Sequence, residues 1–330
     1  MKKPLLIIIA AAAAWALWAF ALPVSNSEAR VISIGMGQGA SSISRTLRQA
    51  GVVHSAFAFR LAARLSGDAS DLKAGDYEIP SGLNVFQTLD LIVSGKTLVH
   101  RFLVREGLSA KQIAALVQQE GLGTAQAFMD AVGDTGLVQE LGVPGPSLEG
   151  YLFPDTYQVA KGMDEKTLAR LMVARFKQKV PASLLAEGSA IRLSPQQVVV
   201  MASIIEKEAK EDKERPIVSA VFRNRMRLKK RLESCATVRY ALDKWTGPLY
   251  NKDLLKPSPY NTYQNFGLPP GPICSPGLAS INGALHPAVT DALYFVVAGD
   301  GTHIFSKTYE QHLAAVARYK RLKKGVVDVQ

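Results

Sequence analysis

The 330-residue sequence predicts an α+β protein made of an N-terminal apolar helix, a small mixed module and a larger mixed α/β domain. Three observations carry that expectation. Leu5 to Leu22 is an unbroken apolar run behind Lys2 and Lys3. Short strand-like and helix-like segments alternate from about residue 30 onward. Ser194 to Asp212, SPQQVVVMASIIEKEAKED, reads as one helix with a marked start. Apolar residues make up 48% of the chain, enough to build cores and to argue against disorder. The expected boundaries are residues 1–29 for the N-terminus, anchor and tether, 30–104 for the module and 105–330 for the large domain.

The apolar run is 18 residues long, about the length that spans a bilayer as a helix. Its positive flank predicts a cytoplasmic N-terminus and export of everything that follows. Trp15, Trp18 and Phe20 lie toward the outer end, where aromatic rings favour the interface. A cleaved signal peptide is the competing reading. Its apolar region would be unusually long, and Phe20-Ala21-Leu22-Pro23 offers no convincing cleavage pattern. A single-pass inner-membrane anchor is therefore expected, with the bulk of the chain outside the cytoplasm. The formal charge is +11, and 37 basic against 28 acidic residues remain once Lys2 and Lys3 are set aside. Such a surface favours anionic partners. Export argues against nucleic acid and leaves an envelope polymer.

Ser25 to Ala29 is a short polar tether. Val31 to Ile34 reads as a strand, ended by the Gly35-Met36-Gly37-Gln38-Gly39 turn. That turn lacks GxGxxG spacing and a phosphate-loop lysine, so no nucleotide site is expected there. Helices follow at Ser41 to Arg48 and Ala56 to Leu65, then a strand ending near Ile79 and a helix from Asn84 to Ser94. This order of elements resembles the LysM-like module, a small carbohydrate-binding fold. Ser109 to Glu120 is a capped helix with Gly121 beyond its end, and Thr124 to Val132 is another. Pro146 to Tyr157 interleaves aromatics and acids with Gly and Pro, which suits a packed loop or a sugar-binding wall. Asp164 to Lys179 is a long helix burying Leu168, Leu171, Met172 and Phe176.

In the central helix Ser194 is a good N-cap and Pro195 suits the first turn. Val198, Ala202, Ile205 and Ala209 define a buried face, with Glu206 and Glu208 on its two edges. A carboxyl partly withdrawn from water holds its proton more readily, which a general acid requires. A solvated glutamate gives the same pattern, and spacing does not choose between the two acids.

Arg215 to Lys230 reads as a helix ending in Arg223-Asn224-Arg225-Met226-Arg227-Leu228-Lys229-Lys230-Arg231, the densest positive cluster in the chain. It suits peptide-stem carboxylates, anionic headgroups or plain solvation. Cys235 and Cys274, the only cysteines, lie in two loops, and in an exported chain they are expected to pair. A free nucleophilic thiol, served by His286 or His303, is the rival. Six prolines between 257 and 276 stiffen the loop displaying Tyr260, Asn261, Thr262 and Tyr263. Ala292 to Ala298 and His303 to Phe305 form a hairpin, and Tyr309 to Lys324 a closing helix.

Several segments together match one family. Leu148-Glu149-Gly150-Tyr151-Leu152-Phe153-Pro154-Asp155-Thr156-Tyr157 looks like a LEGxLxPDTY motif. Ala202 to Glu208 looks like ASIxEKE, and Val221 to Met226 like VFxNRL with Met226 in place of leucine. Thr237-Val238 with Tyr240, Tyr260 to Tyr263 and Gly267 to Gly271 complete the set. The chain resembles the YceG-like family of endolytic murein transglycosylases over nearly its whole length. The resemblance implies a membrane-anchored lyase that cuts nascent peptidoglycan strands internally, beside peptidoglycan synthases. It makes Glu206, the first glutamate of its helix motif, the catalytic residue. Glu149, Tyr260, Asn261, Thr262 and Tyr263 are the candidate substrate-groove residues. Cys235 stands where many relatives have aspartate. No cofactor and no metal are expected. A non-catalytic peptidoglycan-binding scaffold is the alternative from a different class.

Overall fold

The computed structural model describes residues 2–25, 28–35 and 37–325. Parts of the expected tether (26–27) and of the 35–39 turn (36) lie outside the described residues. The chain forms two compact units. One comprises Met1–Phe102, Val117–Gly123 and Tyr157–Asp164; the other holds Leu103–Leu116, Thr124–Thr156 and Glu165–Gln330.

The first unit begins with α1 (Lys2–Ala16), which continues into a π-helical turn at Leu17–Ala21. No helix of the described residues is long and apolar enough to cross a membrane. The apolar run is instead divided between a 15-residue α-helix and the five-residue π turn, and the latter packs its rings on the module. Phe20 meets Phe86, and Trp18 lies on His54. Next come β1 (Arg30–Ile34), α2 (Ala40–Gln49), α3 (Ala56–Ser66), β2 (Gly75–Ile79) and α4 (Val85–Ser94). β1 and β2 pair antiparallel, with Ile32 opposite Tyr77. Ile32, Ile34, Ile43, Leu47, Phe59, Tyr77, Leu89 and Ile92 form the core. Asn84 and Gln87 close a reciprocal capping box on α4, so this helix starts where its sequence signals.

β3 (Val99–Leu103) pairs with β4 (Thr156–Ala160), which brings the 157–164 segment to the first unit. Asp76, 6% exposed, helps hold it there. Its carboxylate lies 3.0 Å from His100 Nε2 and 3.6 Å from Lys161 Nζ, and Ser33 Oγ donates to it.

The second unit contains most of α5 (Ala110–Gln119), α6 (Ala125–Gly133), α7 (Thr135–Glu140), α8 (Glu165–Lys179) and α9 (Ala182–Ala186). It continues with α10 (Pro195–Glu208), α11 (Arg215–Arg227), α12 (Cys235–Leu242), α13 (Asn251–Leu254) and α14 (Leu278–Leu285). The hairpin β5 (Tyr294–Val297) and β6 (His303–Ser306) and the closing helix α15 (Tyr309–Gly325) complete it. α10 is its centre. Ser194 and Gln197 form a capping box, with Pro195 in the first turn. Every residue from Val198 to Ile205 is buried, so the helix is enclosed on all sides rather than on the single face that its periodicity suggests. α14 packs along it most extensively, followed by α11. The 272–277 segment is fastened to it by Ser203, whose Oγ accepts from the Ile273 N–H at 3.1 Å and donates to Val200 O at 2.7 Å.

Gly150 shows how tightly this core closes. It has φ +83°, and an added Cβ would overlap the Pro272 ring. Both effects require glycine. Gly150→Ala is expected to destabilise the fold by about 2–4 kcal/mol, from backbone strain together with overpacking. A lower urea midpoint at unchanged m-value is the measurement that checks this.

Candidate active site

α10 is buried from Val198 to Ile205; its last turn is half-buried, and the buried Ala209 beyond it turns extended. Glu206 and Glu208 project from that turn about 200° apart around the helix axis. They meet different surroundings.

Glu206 points into a polar centre built from three segments. Its Oε2 lies 3.2 Å from Arg215 Nη1, and both side chains are 6% exposed. The same oxygen accepts from the Gly277 N–H at 3.0 Å. Arg215 opens α11 and is itself positioned, its Nε 2.9 Å from Asp212 Oδ1 and its Nη1 donating to Ser280 on α14. Burial alone would weaken the hold of Arg215 on its proton, but Glu206 and Asp212 outweigh it and keep the guanidinium above its ordinary range. The carboxyl of Glu206 is therefore fixed by a charge-assisted contact and a backbone donor rather than left as an isolated buried acid.

The neighbouring Lys207 donates to Gly107 O at 3.0 Å and lies 4.6 Å over the Trp245 ring. The 106–108 segment is further tied to the 275–277 segment, by Gly107 N–H to Ser275 O at 2.9 Å and Ser275 N–H to Leu108 O at 2.8 Å. These bonds place Glu106 at the mouth of the centre. Its carboxyl lies so close to Gly277 that any side chain there would overlap it. Burial, then the charge of Glu206, push the Glu106 carboxyl above its usual range, with Arg215 acting in the opposite sense.

Glu208 turns away from this centre. It accepts from Ser234 Oγ at 2.5 Å and from the Ala236 backbone at the start of α12. Burial raises its pKa, and those two bonds and His303 partly offset the rise. Its role is to cap α12 and join it to α10.

Glu149 plays the same part for α5. Both of its oxygens lie 3.1 Å from the Ala110 N–H, and Tyr240 Oη donates at 3.3 Å. It is 7% exposed, and burial pushes its pKa up to about 7. Asn261 and Thr262, each 1% exposed, are internal fasteners. Asn261 Nδ2 donates to Leu254 O and Lys256 O, and Thr262 Oγ1 bonds Thr237 Oγ1 and the Ser234 N–H. As placed, Glu149, Asn261 and Thr262 spend their polar atoms inside the protein. Tyr260 packs on Tyr240 with ring centroids 4.8 Å apart and its hydroxyl close to Gly271. Tyr263 remains half-open and lines a cavity of about 330 Å³ with Cys235, Glu208, Glu233, His303 and His312.

The expected disulfide is absent. Cys235 is an exposed thiol at the start of α12, 3.1 Å from Tyr263 Oη, whereas Cys274 is buried and donates to Ser203 O at 3.2 Å. The two cysteines belong to segments held apart by different partners, and burial raises the pKa of both thiols. That is the opposite of what activates a nucleophilic cysteine. Two residues of the basic cluster are committed to structure, whereas Arg227, Lys229, Lys230 and Arg231 are exposed. Arg225, 9% exposed, donates to Leu293 O, Leu232 O and Glu233, and Asn224 donates to Thr290 O and Ala292 O.

The resemblance singled out Glu206 as the candidate, and sequence reading did not single out Arg215, Glu106 or Gly277, which the structure places around it. The signal for Arg215 was its place as the first residue of the helix after the glutamate pair. Glu106 and Gly277 carried none, because their meeting depends on how distant loops pack.

Two expectations follow. Glu149 has a higher pKa folded than unfolded, so its contribution to stability is full below about pH 4.5 and is lost as pH rises through about 7. Glu149→Gln should remove a stability decline of about 3 kcal/mol across that window, measured by urea unfolding at successive pH values. Arg215→Ala strands a buried carboxyl and should cost about 3–5 kcal/mol in the same measurement at pH 7.

The model of the YceG-like family matches residues 32–318. An endolytic murein transglycosylase of Bacillus subtilis (strain 168) is 33% identical over 316 residues, covering 90% of this chain and 87% of that protein. An endolytic murein transglycosylase of Streptococcus pneumoniae (strain D39) is 27% identical over 92% of this chain and 61% of its own length. The crystal structure of a YceG-like protein from Listeria monocytogenes superposes with a TM-score of 0.60 at 32% identity, covering 88% of this chain and 99% of that one. With its family match extending over most of the sequence, the chain belongs to the YceG-like family.

Proposed function

We propose that this protein is an endolytic lytic transglycosylase of peptidoglycan. It cleaves the MurNAc–GlcNAc bond inside nascent glycan strands and leaves 1,6-anhydro-MurNAc ends, so that it terminates strand elongation. The observation that carries the proposal is Glu206, held just beyond the buried Val198–Ile205 stretch of its helix by Arg215 and the Gly277 N–H.

The reaction needs one proton delivered to the glycosidic oxygen and one removed from the muramoyl C6 hydroxyl. A hydrolase splits such tasks between two carboxyls flanking the bond. In a transglycosylase the attacking hydroxyl belongs to the substrate, so a single carboxyl can give one proton and take back the other. O6 closes onto C1 as the glycosidic bond breaks, and no water is consumed. A carboxyl on a rigid helix suits this chemistry, because acid catalysis demands a fixed distance to the reacting oxygen.

The rest of the chain supports the setting. The LysM-like unit suits glycan binding, and the positive surface suits a polymer bearing carboxylate stems. The apolar run from Leu5 to Leu22, whose Leu5, Ile7 and Ile8 side chains are exposed, is proposed as the single-pass anchor that keeps the enzyme at the inner-membrane surface, where peptidoglycan synthases extend the strands. A scaffold that binds peptidoglycan without cutting it is the second reading, and the ordered Glu206–Arg215 centre disfavours it.

Incubating the full chain in detergent with uncrosslinked glycan strands, beside Glu206→Gln, tests the proposal by mass spectrometry. Internal fragments with anhydro-muramoyl ends are expected from the wild type, at a rate reduced by about 10²–10⁴-fold in the variant. Reducing ends would instead make the enzyme a hydrolase, and intact strands from both proteins would favour the scaffold.

A further inference from the structure

The reaction just proposed asks for two proton transfers, and two carboxyls converge on one glycine. Gly277 donates its N–H to Glu206 Oε2. Its α-carbon, on which a side chain would overlap the carboxyl of Glu106, is the floor on which that carboxyl rests. Glu206 is almost enclosed, whereas Glu106 is exposed and faces solvent at the mouth. Their partners differ as well. Glu206 contacts Arg215 and a backbone donor, while Glu106 has no hydrogen bond or ion pair among the described residues.

Nor is Glu106 an ordinary mobile surface acid. The residue after it is held on both sides of its peptide, by Gly107 N–H to Ser275 O and by Lys207 Nζ to Gly107 O. The next residue accepts from the Ser275 N–H. A carboxyl fixed by its backbone, unpaired, open to a ligand and adjacent to Glu206 has the requirements of a proton donor.

We propose that Glu106 is a second catalytic carboxyl, which delivers its proton to the leaving glycosidic oxygen while Glu206 receives the proton of the attacking C6 hydroxyl. This deepens the transglycosylase reading and rests on it. In the step, the C1–O bond of the glycoside breaks and the leaving oxygen takes the proton from Glu106. The O6–C1 bond forms, and the O6 proton passes to Glu206. The pair starts and ends with one proton between them, and exchange with solvent at the open mouth returns it to Glu106. The groups facing Glu106 are Glu206 from α10, Asp212 from the turn after it and Arg215 from α11. Partial covering of the carboxyl and Glu206 raise its pKa, Asp212 adds to the rise and Arg215 opposes it, so the carboxyl retains a proton to higher pH than an ordinary surface glutamate. The division also gives Arg215 a task, since it contacts the carboxyl that must begin the reaction as the acceptor.

Kinetics on two substrates test the assignment. One is the natural uncrosslinked strand. The other is a glycan oligosaccharide bearing a dinitrophenyl leaving group on its terminal muramoyl residue, which departs without protonation. Glu106→Gln is expected to lower kcat on strands by about 10²–10³-fold while staying within about 5-fold of wild type on the activated substrate. Glu206→Gln should be impaired on both. Gly277→Ala retains the N–H to Glu206 but expels the Glu106 carboxyl from its place, and should reproduce Glu106→Gln.

Equal impairment of Glu106→Gln on both substrates, or activity within about 3-fold of wild type on strands, would overturn the proposal. A readout that needs no turnover is the carbon-13 titration of the Glu106 carboxyl. Its midpoint should fall in Glu206→Gln, and an unchanged midpoint would also overturn the proposal. Wild-type products with reducing ends, or none at all, would remove the transglycosylase reading itself, a result separate from the behaviour of Glu106→Gln.

Discussion

The burial of α10 from Val198 to Ile205 is the constraint on which the second unit is built. Eight consecutive residues, Val198 to Ile205, are out of contact with water. Burying a large aliphatic side chain contributes about 1.5–3 kcal/mol, so the helix brings a strong drive to be enclosed. One neighbour cannot enclose a helix on every side. α11, α14 and the 272–277 segment are all required, and each then supplies part of the site. α11 brings Arg215, α14 brings Ser280, which holds Arg215, and the segment brings the Gly277 N–H. The geometry around Glu206 is a by-product of core packing, which makes it rigid.

The acids of the second unit show how position on a helix decides chemical fate. Glu206 and Glu208 are two residues apart and face opposite ways. One meets a guanidinium, and the other meets the first turn of α12. Glu149 sits against the first residue of α5 in the same manner as Glu208. A helix start offers unpaired N–H groups and a positive partial charge, so it accommodates a buried carboxyl at moderate cost. Glu208 and Glu149 therefore serve the architecture, and their raised pKa values are consequences of burial rather than marks of catalysis.

This distinction explains what could be read from the sequence. Local signals transferred well. Ser194 and Pro195 announced the start of α10, and the helix read from Asn84 to Ser94 is α4 with Asn84 as its cap. Helix termini depend on neighbours along the chain, so they are legible. α11 stops at Arg227, short of Lys230, because Lys229 adopts φ +51° and the chain folds back so that Arg225 donates to 231–233. The α12 helix begins where a loop was read and α14 lies where no element was read, since Glu208 and packing on α10, rather than local pattern, fix them. Cysteine count suggested a bridge, but pairing is a matter of distance, and Cys274 lies buried against Ser203. The Tyr260 to Tyr263 stretch looked like a sugar-binding wall. A rigid loop needs internal hydrogen bonds, and Asn261 and Thr262 supply them. Polar residues in such a loop are as often its fasteners as its ligand contacts.

Gly277 shows why two carboxyls from distant parts of the chain can share one centre. Its φ is an ordinary −76°, so glycine is required there for closeness rather than for backbone conformation. Removing the side chain lets Glu106 approach from one side while the N–H is offered to Glu206 on the other. Two carboxylates in such a place would repel one another, and a single Arg215 balances only one of them. As uncharged sugar rings of the strand cover the mouth, water leaves and the repulsion grows. The repulsion is relieved where Glu106, the carboxyl without a guanidinium contact, keeps its proton. Substrate binding itself would sharpen that division, protonating the open carboxyl at the moment a proton donor is needed.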